Sequence, residues 1–289
     1  MPRAHQALAV NQRLHLRAPS PRDARRRARE QVPISMVFRK DSAWATEKRA
    51  CPMMLYAYGS YGMCIDPAFD PKCISYLDRG MVYAIAHIRG GGEMGREWYE
   101  DMGKFLTKKN TFTDFCDCAE HLIKTGVTTA ERLACSGRSA GGLLVGNVIN
   151  MRPDLFKAAV GGVPFVDLMT TMSDPSIPLT IGEWEEWGNP NEKKFFDYML
   201  SYSPIDNVRA VEYPHLLVTA GLNDPRVAYW EPAKWVARLR QVRVGKGQVL
   251  LKTDMSSGHF AASNRYFHMQ ERSIEFAFVT HHLGCEKLL

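Results

Sequence analysis

Short apolar runs alternate along the chain with longer stretches in which apolar residues recur every three or four positions. The short runs, bounded by Gly, Pro and polar clusters, predict strands near residues 33–39, 52–58, 81–88, 132–136, 157–163, 215–220 and 249–253. The longer period predicts helices near 113–125, 140–151, 230–242 and 265–282. Several strand runs are apolar at consecutive positions, as in strands covered on both faces. The pattern therefore predicts an α/β domain, with a mostly parallel sheet and helices on both faces. Residues 166–207 break the rhythm with Pro, Gly, Trp and acids, and are expected to form an excursion above the sheet.

The chain has 289 residues, 45% of them hydrophobic, which is enough for one large domain with a sizeable core. Its net charge of +6 changes the picture only once it is located. The first 30 residues carry eight arginines against Asp23 and Glu30, and the remainder is balanced. The expected organisation is a basic, unstructured arm at 1–30 and one domain at 31–289. A basic body for nucleic acid or an anionic membrane is not expected. No run of 18 apolar residues predicts a membrane span, and the N-terminus lacks the apolar core of a secretory signal. Seven cysteines without regular spacing fit reduced thiols, and so a cytoplasmic protein. The Arg-rich, acid-poor arm keeps a mitochondrial or plastid address open as the alternative.

The strongest local signal is Gly137-Arg138-Ser139-Ala140-Gly141, a G-x-S-x-G between a predicted strand and a predicted helix. A serine on a strained strand-to-helix turn needs neighbours without side chains, and the turn lifts its Oγ above the sheet at the positive end of the helix. Ser139 is the candidate nucleophile, with an ordinary turn serine as the plainer alternative. In such a fold an orienting acid and a general base follow in that order, each beyond a later strand. Asp224 follows the predicted strand at 215–220, and His259 follows the one at 249–253. Asp224 would hold the tautomer of His259, which would take the Ser139 proton and return it to the leaving group. Taken singly, Asp224 could be a turn-former and His259 a loop histidine.

Other constellations are weaker. Cys116 and Cys118 lie about 200° apart on a helix, and Cys118 with His121 supplies too few ligands, so no metal is expected. Gly90 to Gly95 spell G-x-G-x-x-G, but no second strand ends in a ribose-binding acid about 20 residues on. A tight glycine loop beneath the site is the better reading, and no cofactor is expected. Tyr58 ends a strand beside the elbow strand, where its hydroxyl could reach a developing oxyanion or merely pack in a turn. Glu183 and Glu185, at a spacing of two on an extended segment, would point to one side and Glu186 to the other. A solvated acidic loop is the alternative.

Around these residues stand Leu55 to Gly62 (LYAYGSYG), Arg89 to Glu93 (RGGGE), Gly137 to Gly142 (GRSAGG), Gly182 to Pro190 (GEWEEWGNP), Tyr202-Ser203-Pro204, and Asp224 to Val227 (DPRV). In these pieces the chain, from about Val32 to Gly284, resembles the catalytic domain of the prolyl oligopeptidase family of serine peptidases, and within it the oligopeptidase B branch. The resemblance implies an α/β-hydrolase fold and cleavage of short peptides after Arg or Lys through an acyl-enzyme on the Ser139, His259, Asp224 triad. It implies that the Tyr58 hydroxyl and the Ala140 N–H form the oxyanion hole, that Arg226 binds a substrate carbonyl, and that Glu183 and Glu185 bind the basic P1 side chain. Cleavage after Pro, a carboxylesterase and a catalytically silent fragment are the alternatives. Family members carry a β-propeller ahead of the hydrolase domain that covers the active site and limits entry to short peptides; this chain has only the arm there. The expectation is therefore a catalytic-domain fragment, or an enzyme working without that filter.

Overall fold

The computed structural model describes residues 7–13, 31–260 and 265–288. Eight strands form one sheet: β1 (Ala7–Arg13), β2 (Pro33–Arg39), β3 (Met53–Tyr56), β4 (Val82–Ala86), β5 (Leu133–Arg138), β6 (Ala158–Gly162), β7 (His215–Gly221) and β8 (Val249–Asp254), in the order β1-β2-β4-β3-β5-β6-β7-β8. The pairs β1/β2 and β2/β4 are antiparallel, and every pair from β4 to β8 is parallel. The helices are α1 (Ala43–Glu47), α2 (Ile74–Leu77), α3 (Arg96–Glu100), α4 (Lys109–Lys124), α5 (Ala140–Met151), α6 (Leu168–Ser173), α7 (Thr180–Trp187), α8 (Lys193–Leu200), α9 (Trp230–Val242) and α10 (Arg265–His282). This is the α/β-hydrolase arrangement that the sequence implies.

Strand side chains alternate between two cores, as a period of two requires. Met53 and Leu55, Leu133 and Cys135, Leu216 and Val218 face one core, while Met54, Ala134 and Leu217 face the other. On the first side Phe112 and Phe115 of α4, Leu144 and Val148 of α5, and Trp235 of α9 complete the packing. On the second side Tyr76 of α2 and Phe278 and Val279 of α10 do so. Among the described residues no helix is long and apolar enough to cross a membrane.

Two expectations change. The arm read as unstructured contains β1, whose Ala7 to Arg13 pair with Arg39 to Pro33. The open edge of β2 offers a row of backbone donors and acceptors, which a short segment such as Ala7–Arg13 can satisfy. The other residues of the 1–30 arm lie outside the described residues. The excursion at 166–207 holds the three helices α6, α7 and α8, so the stretch read as extended at Glu183 and Glu185 is helical. Because the central strands are parallel, the turns after Tyr56, Arg138, Gly162, Gly221 and Asp254 all leave the sheet at one edge.

Candidate active site

Ser139 sits between β5 and α5 with φ 58° and ψ −119°, a conformation that L-residues avoid. The surrounding backbone holds it there. Its N–H donates to the Gly162 carbonyl at 2.8 Å, and its own carbonyl accepts from Gly142 at 2.8 Å and from Leu143 and Phe165 at 3.2 Å. Gly137 is required: a Cβ on it would stand 2.1 Å from the Gly141 carbonyl oxygen. The strained turn thus follows from the motif, and it opens α5 with the amide of Ala140.

Asp224 and His259 come from the turns after β7 and β8. The His259 Nδ1 lies 2.7 Å from Asp224 Oδ2, with the two side chains 5% and 0% exposed. Asp224 Oδ1 also accepts from the amides of Arg226 at 2.8 Å and Val227 at 2.9 Å. Burial acts to raise the Asp224 carboxyl, but the bonds from His259 and from the Val227 and Arg226 amides outweigh it and hold the group below its ordinary value. A carboxylate so satisfied fixes the histidine ring and leaves Nε2 to act. Arg138, next to Ser139, donates from Nη2 to the His259 carbonyl oxygen at 2.7 Å. Arg226 is exposed, and its guanidinium lies 4.7 Å over the ring of Phe260.

Tyr58 follows β3, and its ring lies against the first turn of α5, 3.4 Å from where a Cβ on Gly141 would stand. Burial, chiefly, with Tyr56, Glu183 and Glu186 nearby, pushes its hydroxyl up to about 12, so it remains an O–H donor at working pH.

The acidic segment is arranged differently from the extended reading. Glu183, Glu185 and Glu186 stand on the helix α7, where a spacing of two turns side chains about 200° apart. Glu183 and Glu186 share the inner face. Glu183 Oε2 accepts from the Tyr61 hydroxyl and from Trp187 Nε1, both at 2.8 Å. Glu186 is buried, its Oε1 accepting from the Tyr61 amide at 3.1 Å and its Oε2 from the Tyr99 hydroxyl at 2.5 Å. Glu185 points to solvent. The structure therefore brings Glu183 towards Tyr58 and keeps Glu185 apart from it.

These geometries can be set beside known proteins. The family model that matches the chain is the prolyl oligopeptidase family, over residues 67–286. The chain belongs to that family. Dipeptidyl aminopeptidase BI of Pseudoxanthomonas mexicana is 52% identical over 90% of this chain and 35% of its own length. Protease 2 of Moraxella lacunata is 51% identical over 88% of this chain and 36% of its own. Among solved structures, oligopeptidase B from Leishmania major superposes with TM-score 0.91 and 56% identity, covering 97% of this chain and 37% of that one. Oligopeptidase B from Trypanosoma brucei, with covalently bound antipain, gives TM-score 0.91 and 60% identity over 98% of this chain and 38% of that one. The chain spans just over a third of the length of these prolyl oligopeptidase relatives.

Three contributors escape a linear reading. Arg138 reads as the variable residue of G-x-S-x-G, yet its guanidinium reaches His259, 121 positions away. Tyr61 lies in a glycine-rich turn, and only its φ of 59° and its bonds to Glu183 and Glu186 single it out. Lys108 sits in a run of polar residues and is 1% exposed. The helical period in Thr180, Glu183, Trp184 and Trp187 was the available signal for α7.

Proposed function

We propose that this prolyl oligopeptidase family domain hydrolyses short peptides after Arg or Lys through an acyl-enzyme on Ser139. His259 takes the Ser139 proton as Oγ attacks the carbonyl carbon, and the Tyr58 hydroxyl and Ala140 amide receive the oxyanion. His259 then delivers that proton to the leaving amine, and a water activated by the same ring releases the acid. Asp224 keeps the ring oriented and stabilises its cation. The observation that carries this reading is the 2.7 Å contact of His259 Nδ1 with a fully buried Asp224 carboxylate, on the sheet edge that bears the strained Ser139. A covalent inhibitor complex of the Trypanosoma brucei relative is in keeping with it.

The basic preference rests on Glu183. A guanidinium entering a pocket must exchange hydration for charged acceptors, and Glu183 is partly exposed with its two bonds both on Oε2, whereas Glu186 is buried and accepts through both oxygens. Glu185, on the outer face of α7, would join a basic side chain only at the rim. The test is kcat/KM for matched Arg, Lys and Pro peptides. Arg should exceed Pro by at least about 10²-fold, and Glu183→Gln should cost the Arg peptide roughly 10- to 150-fold while leaving a neutral acyl ester unchanged. Equal rates on Arg and Pro peptides would overturn the basic preference, and Glu185→Gln costing more than Glu183→Gln would reverse the two roles.

A further inference from the structure

The turn that carries Tyr58 is gripped by a buried cation that no step above uses. Lys108 precedes α4, and its side chain is 1% exposed. Its Nζ donates to the Gly59 carbonyl at 2.5 Å and to Ser60 Oγ at 2.8 Å. It lies 3.8 Å from Glu186 Oε1 and 5.2 Å from the centre of the Trp187 ring. All four contacts are to two structures only, the 58–61 turn and α7. A buried ammonium carries a large desolvation cost that an apolar side chain of similar length avoids. The contacts it makes therefore have a geometric rather than a filling role.

The turn is one that needs holding. Gly59 has φ +70°, and a Cβ there would meet Thr111 Cγ2 at 2.6 Å, so the turn presses directly on the start of α4. Tyr61 has φ 59° without being glycine, and its amide is held by the same Glu186 carboxylate that faces Lys108. Lys108 grips the carbonyl side of the turn and Glu186 the amide side. The Tyr58 ring lies against the first turn of α5 and 6.2 Å from the ring of Tyr61. An oxyanion donor misplaced by about 1 Å loses much of its effect on the transition state.

We propose that Lys108 is a positioning residue of the hydrolysis: its ammonium fixes the 58–61 turn so that the Tyr58 hydroxyl meets the oxyanion, and it joins that turn to the acidic helix α7. This rests on the reading of Tyr58 as an oxyanion donor. Lys108 touches no substrate in this account, so its effect passes through Tyr58 and belongs to kcat.

A double-mutant cycle on the full chain separates the possibilities. Wild type, Tyr58→Phe, Lys108→Gln and the double variant are compared for kcat and KM on one Arg peptide, with thermal melts alongside. Lys108→Gln/Glu186→Gln, which removes both buried charges, serves as the second variant should Lys108→Gln melt early. The expected result is a fall of roughly 10- to 100-fold in kcat for Lys108→Gln with KM within about twofold, and no further fall beyond about twofold when it is added to Tyr58→Phe. The same loss in both backgrounds, a change confined to KM, or an unchanged kcat would overturn the proposal while leaving Tyr58 in place. An unchanged kcat in Tyr58→Phe alone would remove the Tyr58 reading itself, and the role of Lys108 with it.

Discussion

Arg138 Nη2 donates to the carbonyl oxygen of His259 at 2.7 Å, so the residue before the candidate nucleophile holds the loop that carries the candidate base. The bond spans from the end of β5 to the turn after β8, across the ends of β6 and β7. Behind it, on the α10 side of the sheet, Arg138 lines a cavity of about 810 Å³ together with Tyr56, Tyr83 and Arg272. The guanidinium thus stands between a cavity and the histidine loop, and its bond ties that loop to the elbow.

Arg138→Met should therefore loosen His259 without emptying the site. A fall of about 10- to 100-fold in kcat is expected, from a base held less well, with the melting temperature lowered by no more than a few degrees. Arg138→Lys should recover part of the rate, because one donor suffices for one carbonyl. Steady-state kinetics on an Arg peptide check this, and an unchanged kcat in Arg138→Met would show that the loop is held by other contacts.

Alkaline pH should separate activity from stability. Burial lowers the Lys108 ammonium to about 8, with Glu186 opposing the shift. The charged group that faces it is Glu186 of α7. The hydroxyls of Tyr61 and Tyr99 are pushed up by burial and by the carboxylates they bind, and Tyr58 is pushed up to about 12 by burial first and then by its neighbours. Set beside these tyrosines, Lys108 is the group that changes charge between pH 7 and about 9. The ammonium is present below about 8 and is lost as the pH rises through that value, so kcat should decline there. In the same window the unfolded chain binds more protons than the folded one, so this group's contribution to stability rises. The expected outcome is a rate that falls without a falling melting temperature, and a step that is absent in Lys108→Gln. A wild-type kcat constant through pH 9.5 would show that the turn does not need the charge.

Acid should loosen the end of α10. The rings of His215 and His282 stack at 3.9 Å, and Phe278 meets His282 edge-on at 4.5 Å. Burial, then the neighbouring His215 and His281, lower His282 to about 4, and burial lowers His215 as well. The unfolded chain takes up these protons near the ordinary histidine value of about 6.5, before the folded chain does. Stability should therefore drop as the pH falls from about 6.5 towards 4. His282→Phe keeps the stack and removes one titration, so its melting temperature should depend less steeply on pH in that range. Equal slopes for the two proteins would contradict this.

The mostly parallel sheet and the places of Ser139, Asp224 and His259 just past their strands were legible in the sequence, because each depends on local chemistry: apolar runs, glycines at a tight turn, and a polar residue just past a strand. What was not legible depends on partners distant in the chain. Glu183 and Glu185 look equivalent at a spacing of two, and only the helical backbone of α7 turns one inward and the other outward. Lys108 and Lys109 are adjacent and alike, yet one meets Gly59 and Glu186 across the fold and is buried. β1 carries too weak an alternation to stand out, and it forms because β2 supplies an open edge.

The central claim is that Ser139 is a nucleophile activated by His259 and Asp224. Treating the full chain with a fluorophosphonate and mapping the adduct by mass spectrometry tests it most directly. The account predicts a single adduct on Ser139, abolished in Ser139→Ala, and a labelling rate reduced by roughly 10³- to 10⁴-fold in Asp224→Asn with the melt unchanged. A folded chain that takes no label, an adduct on another serine, or an Asp224→Asn variant that labels as fast as wild type would contradict it.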